Sequence, residues 1–529
     1  MSDRKRYPIG IQSFSEIING NYLYVDKTEF IYQLFDTGKY YFLSRPRRFG
    51  KSLLLSTMEA FFLGKRELFK GLAIDRHEDL NWEEYPVLHL DLNAQDYTKT
   101  EDSLYNQLDT FLKSWENKFG IVPEVNDVGI RFAAVVRSAF EQTGRQVVVL
   151  IDEYDKPLLQ NLSEERRARQ DSFRNTLKGF YGVLKTCDQF IKFAFLTGVT
   201  KFGHVSVFSD LNNLRDISLE PEYNAICGIT ETELLSNMHE RIEQLATRLR
   251  QSYEETCDDL KRNYDGYRFS EEESEGIYNP FSLMNVMASQ RFSDYWFMSA
   301  TPTMLVELLR HAQVDISELE GSVRSENELQ GIDPEFDDPI PLLFQSGYLT
   351  IKGARHRGKK PIYILGFPNE EVTDGFMEAL FPYYVNRREG SESTRIVNDC
   401  VEALEKGKVD RFMTILKSLL AGVPYDENSE AHVYENRFRD VMYILCRLMG
   451  MMVHCELHTA KGRIDMTVET DRFIYIMEFK VDESPEKALA QIDEKRYADR
   501  YLSDDRTVVK VGVNFSSSER NIAYWTKDP

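Results

Sequence analysis

Five consecutive apolar residues, Val147–Ile151, run straight into two acids, Asp152 and Glu153. A strand wetted on one face alternates apolar and polar residues, so an unbroken run this short describes a strand buried on both faces. Such a strand needs helices above and below it, and the chain has to supply them in order. It does so: the apolar runs Tyr40–Leu43, Val87–Leu92 and Phe193–Leu196 alternate with amphipathic stretches at Leu53–Phe62, Leu104–Trp115, Arg131–Phe140 and Phe173–Leu184. This alternation predicts an α/β fold, a parallel sheet with crossover helices.

The first strand leads into a loop with its own chemistry. In YYFLSRPRRFGKSLLL, Gly50-Lys51-Ser52 is the second half of a phosphate-binding loop. Main-chain N–H groups at the loop and helix start surround a phosphate, the lysine bridges phosphate oxygens, and the serine hydroxyl coordinates Mg²⁺. The usual first glycine is replaced by Arg45, followed by Pro46, Arg47, Arg48 and Phe49. That substitution implies a differently shaped loop, with Arg47 or Arg48 offering charge-assisted bonds to phosphate. Taken alone, Gly-Lys-Ser reads equally well as a chance turn. The acids at the end of the Val147–Ile151 strand shift the balance, because ligands of parallel sheets bind at the C-terminal ends of strands. Asp152 is then the Mg²⁺-holding acid and Glu153 the residue that polarises the attacking water. The strand Phe193–Leu196 ends in Thr197, which fits a sensor of the terminal phosphate. Arg215 reads either as an arginine finger or as a surface arginine. The distance in sequence between Lys51 and Asp152 leaves room for the Val87–Leu92 strand, which fits an additional-strand nucleoside-triphosphatase.

From about Thr230 the pattern turns helical, with Glu233–Leu249 and Pro302–His311 the clearest helices and Glu271–Glu275 a solvated acidic loop. Pro339–Ile351 followed by Lys360–Leu365 predicts a helix leading into a hairpin, as in a winged helix. Gly422–Ser429 is turn-rich and is the best linker. Beyond it the order is helix (Glu430–Met449), two strands (Arg463–Glu469, Phe473–Lys480), helix (Pro485–Tyr501) and strand (Val508–Phe515).

That last unit carries a second acidic constellation. Asp465 lies on the first strand, and Glu478 and Lys480 end the second, two apart and so on one face. If Asp465 lies opposite, two carboxylates hold a hard divalent cation and the lysine orients a water or steadies charge, as metal-assisted phosphodiester hydrolysis requires. Glu435 reads either as a further metal ligand or as an exposed helix residue. Gln491 reads either as a contact to substrate phosphate or the metal water, or as a solvent-facing side chain. His454, Cys455 and His458 do not make a zinc site, because positions i and i+4 of an extended segment diverge and no second pair lies nearby.

Composition narrows the rest. A chain of 529 residues is expected to hold three or four domains. Its net charge of −21 argues against indiscriminate coating of nucleic acid. No run approaches the roughly 20 apolar residues of a membrane helix, the N-terminus lacks a secretory apolar segment, and the six cysteines form no CxxC pair. A soluble cytoplasmic protein with reduced thiols is expected.

The strings YPIGIQSF, YLYVDKTEFIY, YFLSRPRRFGKSLLL, VVVLIDEYDKPLL and FAFLTGVTKFGHVSVFSDLNNLRDIS resemble the AAA-ATPase-like family of bacterial proteins, as do the later YDGYRF, IYNPFSL and LLFQSGYLTI. The end of the chain, with ENRFRDVMYILCRLMG, GRIDMTVET, YIMEFKVD and ALAQIDEKRY, is similar to the PD-(D/E)xK nuclease domain such proteins carry. The resemblance implies a P-loop ATPase domain over residues 1–218, a helical lid over 219–335, a winged-helix-like and helical connector over 336–425, and a restriction-endonuclease-like α/β domain over 426–529. It implies ATP and Mg²⁺ as cofactors, with Mn²⁺ an alternative at the nuclease site, and RPRRFGKS as the family's own loop. Asp465, Glu478 and Lys480 match the nuclease motif and Glu435 the helix glutamate. The expected partners are ATP, nucleic acid, DNA ahead of RNA, and a second copy of the chain; no membrane is expected. The leading expectation is an ATP-controlled, Mg²⁺-dependent nuclease. The alternatives are a nucleotide-dependent switch or scaffold whose nuclease fold only binds, and a DNA-remodelling ATPase without cleavage.

Overall fold

The computed structural model describes residues 5–201, 211, 213–272, 275–299, 309, 316, 319–331, 338–358, 360–384, 390–421, 431–450, 452–459 and 462–528; for 164, 298, 299, 330, 357, 390, 391, 431–439, 452–459 and 462–464 it describes the main chain alone. The expected helix Pro302–His311 and the linker Gly422–Ser429 fall largely or wholly outside these residues. Two compact units divide the chain, residues 1–301 with 321–372 and residues 302–320 with 373–529.

The first unit is built on five parallel strands, β1 (Tyr40–Ser44), β2 (Val87–Asp91), β3 (Val147–Asp152), β4 (Ile191–Gly198) and β5 (Arg215–Asp216), in the order β2-β3-β4-β1-β5. All six residues of β3 are buried, as its unbroken apolar run requires. β4 is inserted between β1 and β3, with Leu43 opposite Thr197 and Ile151 opposite Leu196. That insertion brings Thr197 between the loop after β1 and the acids after β3. The helices Lys51–Phe62, Ser103–Lys118, Val128–Thr143 and Arg167–Thr186 occupy the expected stretches and extend them, mostly at their polar ends.

A helix Glu231–Leu249, opened by a capping box of Thr230 and Glu233, begins the region that follows. Lys27 from the N-terminal segment donates to Glu233 at 2.6 Å, tying the chain start to this cap. Further on, the helix Ile340–Ser346 leads into a hairpin of β7 (Thr350–Arg357) and β8 (Lys360–Gly366), and β6 (Val323–Ser325) completes a sheet in the order β6-β8-β7. The expected helix and hairpin are both present.

The second unit has a sheet in the order β13-β12-β11-β10-β9, from β9 (Met452–Thr459), β10 (Gly462–Glu469), β11 (Phe473–Val481), β12 (Thr507–Ser516) and β13 (Asn521–Asp528). β11 and β12 are parallel, joined by the helix Pro485–Glu494, and the other pairs are antiparallel. That helix was expected to reach Tyr501. It stops at Glu494, because Arg496 takes a left-handed φ of +53° that an α-helix cannot propagate. β13 was not anticipated: it is an edge strand in which Ile522 is the one fully buried residue, so it lacks a strong alternating pattern. The helices Gly390–Glu405 and Val409–Ala421 belong to this unit. Tyr475 donates to the Leu404 carbonyl at 2.5 Å, and Asn521 donates to that of Lys417 at 3.1 Å. No helix among the described residues is long and apolar enough to cross a membrane.

Candidate functional site

In the first unit, Lys51 opens the helix that follows β1, and Gly50 at its N-cap makes no side-chain cap. The first N–H groups of a helix have no partner within it. Ahead of them, Arg48 and Gly50 take left-handed φ values of +66° and +93°, the alternation found in anion-binding loops. Gly50 is needed for that conformation rather than for room, since a Cβ there would meet nothing within 4 Å.

Three of the residues singled out here, Ser52, Asp152 and Thr197, lie together. Ser52 donates to Asp152 at 2.5 Å, and Thr197 donates to the other oxygen of the same carboxylate at 2.6 Å. A hydroxyl beside a buried carboxylate is a donor set suited to a hard divalent cation. Lys51, 3% exposed, donates to the carbonyls of Arg45 and Pro46 at 3.1 and 3.2 Å and lies 3.4 Å from Glu153. Glu153 itself has a φ of +52°, a strained value for a side-chain-bearing residue.

Arg45 does not face a phosphate. It is buried behind the loop, where its guanidinium donates to the carbonyls of Ser44, Ser218 and Tyr223 and lies 3.9 Å from the Phe269 ring centre. Burial lowers its pKa to about 10. Arg47 and Arg48 are exposed, so they are the cations of the loop open to solvent. The Arg47 carbonyl accepts from the Trp296 indole at 3.0 Å, and the Arg48 guanidinium lies 5.1 Å from the Phe281 ring centre. Phe49 is buried with its ring 4.8 Å from that of Tyr267. A left-handed arginine costs about 1 kcal/mol, which a cation–π contact of about 0.5–1 kcal/mol nearly offsets. Arg215 is held by both oxygens of Glu220.

In the second unit, β10 and β11 are paired with Met466 opposite Met477. One further step of that register sets Asp465 opposite Glu478, and the Phe479 N–H donates to Asp465 at 2.8 Å. Glu478 is 1% exposed. One of its oxygens accepts from Lys480 at 3.1 Å and from Gln491; the other is buried without a protein partner. Burial first, and Asp465 second, push the Glu478 carboxyl up to about 6. A buried carboxylate oxygen left open beside a second carboxylate fits a divalent cation, whose charge would supply the missing partner. Glu435 lies on the helix Ala431–Leu448, and its side chain is outside the described residues. Among the described residues no three His, Cys, Asp or Glu side chains converge.

Residues 8–208 match a family described as Predicted AAA-ATPase, and residues 433–525 match the PD-(D/E)XK nuclease superfamily. The chain is also 36% identical, over 98% of both sequences, to an uncharacterized protein in the vnfD 5' region of Azotobacter chroococcum mcd 1. The chain belongs to the AAA-ATPase-like family with a C-terminal PD-(D/E)XK domain.

Two groups of residues in this AAA-ATPase-like protein escaped the reading of its sequence. Asp155 is fully buried and accepts from the Val199 and Thr200 N–H groups and the Thr200 hydroxyl, locking the segment after β3 to the end of β4. The string DEYD held the signal, a third acid close behind the two assigned. The second group is the wall of Tyr267, Phe269, Phe281 and Trp296, which lies outside both family-matched segments. YDGYRF and IYNPFSL were visible as motifs, but nothing local tied them to a loop more than 200 residues earlier.

Proposed function

We propose that the protein is a nucleotide-controlled, metal-dependent phosphodiesterase acting on nucleic acid, with DNA its substrate ahead of RNA. The observation that carries the reading is at Glu478, where Lys480 and Gln491 hold one oxygen and the other is buried and unpartnered beside Asp465. Asp465 and Glu478 would hold Mg²⁺ or Mn²⁺, with Glu435 a further ligand. When bound, the metal supplies Lewis-acid polarisation and lowers the pKa of its water. Lys480, kept in place by Glu478, steadies negative charge on the phosphate. Gln491 keeps the Glu478 carboxylate in one rotamer and meets substrate or the metal water.

At the other site the loop N–H groups, Lys51, Arg47 and Arg48 would hold the phosphates of ATP, with Phe49 anchoring the loop. Ser52 and Asp152 would hold Mg²⁺. Thr197 orients Asp152. Glu153, paired with Lys51, is withheld from water until a phosphate draws the lysine away, after which it polarises the attacking water. Five free cysteines among the described residues are consistent with a reducing, cytoplasmic compartment.

The test is cleavage of linear, circular and single-stranded DNA, and of RNA, with Mg²⁺ or Mn²⁺, with and without ATP. Asp465→Ala is expected to abolish cleavage and Lys51→Ala to remove its dependence on nucleotide. The net charge of −21 favours a second reading, a nucleotide-dependent switch whose nuclease fold only binds. No cleavage of any substrate by protein that still binds ATP through Lys51 would establish that reading instead.

A further inference from the structure

In a chain of net charge −21, residues 339–369 contain no Asp or Glu and carry five Lys or Arg, all between 352 and 360. That span is the β7–β8 hairpin. Its register sets Arg357 opposite Lys360.

The pleat then sorts the charges. Tyr363 and Leu365 of β8 point into the core, being 4% and 0% exposed, so Lys360, Ile362 and Ile364 lie on the outer face. Arg355 is opposite Ile362 and shares that face; Arg355 and Lys360 are both exposed. His356 projects from the other face, where Glu271 of the acidic loop lies 3.4 Å away. That contact is on the side away from Arg355 and Lys360.

Two other accounts of the charge are available. Cations on an edge strand guard against edge-to-edge pairing, which suits Arg355 on the edge strand β7 but not Lys360, which is on β8, the central strand of β6-β8-β7. A groove-reading helix would be the usual binding element beside such a hairpin, but every residue from Ile340 to Gln345 is buried, so the helix offers no face. Among the described residues of this region, Arg355 and Lys360 are the exposed cations of that face.

We infer that the outer face of the β7–β8 hairpin, through Arg355 and Lys360, grips the phosphate backbone of duplex DNA independently of sequence. Cations on a rigid pleated surface position a duplex without reading its bases. The inference rests on nucleic acid being the substrate and names where the chain holds it.

The experiment measures binding of a short labelled duplex of mixed sequence, in EDTA, across about 50–200 mM salt. Full-length wild type is compared with Arg355→Gln/Lys360→Gln and with a charge-matched control, Lys70→Gln/Lys99→Gln. Loss of two phosphate contacts should lower the magnitude of the log–log salt slope by about 1.8 and weaken binding on the order of 10- to 100-fold near 0.1 M salt. The control should bind as wild type, and all three should melt alike and bind ATP alike. An unchanged slope in the hairpin variant, an equal loss in the control, or no duplex binding by wild type each overturns the inference. Cleavage of the same duplex by wild type in Mn²⁺ is scored separately, so a nuclease that holds DNA elsewhere is distinguished from a protein that is no nuclease.

Discussion

One methyl group at Gly512 offers a sharp test of how the second unit is held. Gly512 lies in β12 beside Glu478 of β11, directly beneath the helix Pro485–Glu494. A Cβ there would lie 2.1 Å from the Pro485 carbonyl oxygen and 3.1 Å from the Leu489 N–H nitrogen, where ordinary contact begins at 3.4 Å. The Leu489 Cγ also lies at 3.1 Å, but the nearest obstacle is backbone, so Gly512→Ala must lift the helix by about 1 Å and cannot be relieved by turning a side chain aside. That helix seats Ala488 and Ile492 in the core and carries Gln491, the partner of Glu478. Overpacking of this kind costs about 1–3 kcal/mol, and a weakened hydrogen bond to a buried carboxylate adds about 1–2 kcal/mol. A total of about 3 kcal/mol should lower the melting temperature of a unit this size by roughly 6–12 °C. Calorimetry of the full chain, with Mn²⁺-dependent cleavage measured beside it, should show a depressed transition and a lost or much slower reaction. A variant that melts within a degree of wild type and cleaves as fast would refute the claim that this contact positions Gln491.

Trp296→Phe keeps the ring but removes the donor to the Arg47 carbonyl; at about 1 kcal/mol, ATP affinity by titration calorimetry should fall roughly fivefold. Unchanged affinity would separate the indole from the loop. Burial pushes the Glu371 carboxyl, which accepts from Ser282 and the Trp296 N–H, up to about 7. The folded state therefore binds its proton more tightly than the unfolded state, and stability falls as pH rises from the ordinary glutamate range to about 7. The loss is up to about 3 kcal/mol. Glu371→Gln should flatten the melting temperature over that window, and an equally steep variant would count against the assignment. Lys480→Ala should slow cleavage by at least about 100-fold and, by removing a partner of the buried Glu478 carboxylate, lower the melting temperature by a few degrees; wild-type cleavage by this variant would remove the lysine from the site.

The parts of the fold that could be read in advance share a physical cause. β3 is buried on both faces, so solvation alone wrote Val147–Ile151 into the chain, and the acids at its end had to mark a sheet terminus. That Glu478 and Lys480 share a face was legible because a strand's period of two fixes it; that Asp465 lies opposite them follows only from the β10–β11 register. What Arg45 does could not be read: it marked a differently shaped loop, but its donors reach the carbonyls of Ser218 and Tyr223, some 175 residues away. Contacts of that separation leave no periodicity behind. The end of the helix at Glu494 and the edge strand β13 were lost for the opposite reason, because a single left-handed residue and a half-exposed strand perturb the local pattern too little.

The wall behind the nucleotide loop also has a consequence in time. A chain leaves the ribosome N-terminus first, at about 5–20 residues per second. The parallel sheet is complete once β5 emerges, yet Tyr267, Phe269, Phe281 and Trp296 follow over the next 80 residues. For roughly 4–16 s of synthesis the strands can pair while the loop between β1 and its helix lacks the side chains that shape it. On the proposed function, a nascent chain in that interval would have a sheet but no finished phosphate cradle, so nucleotide binding would report that the chain has been made at least as far as Trp296.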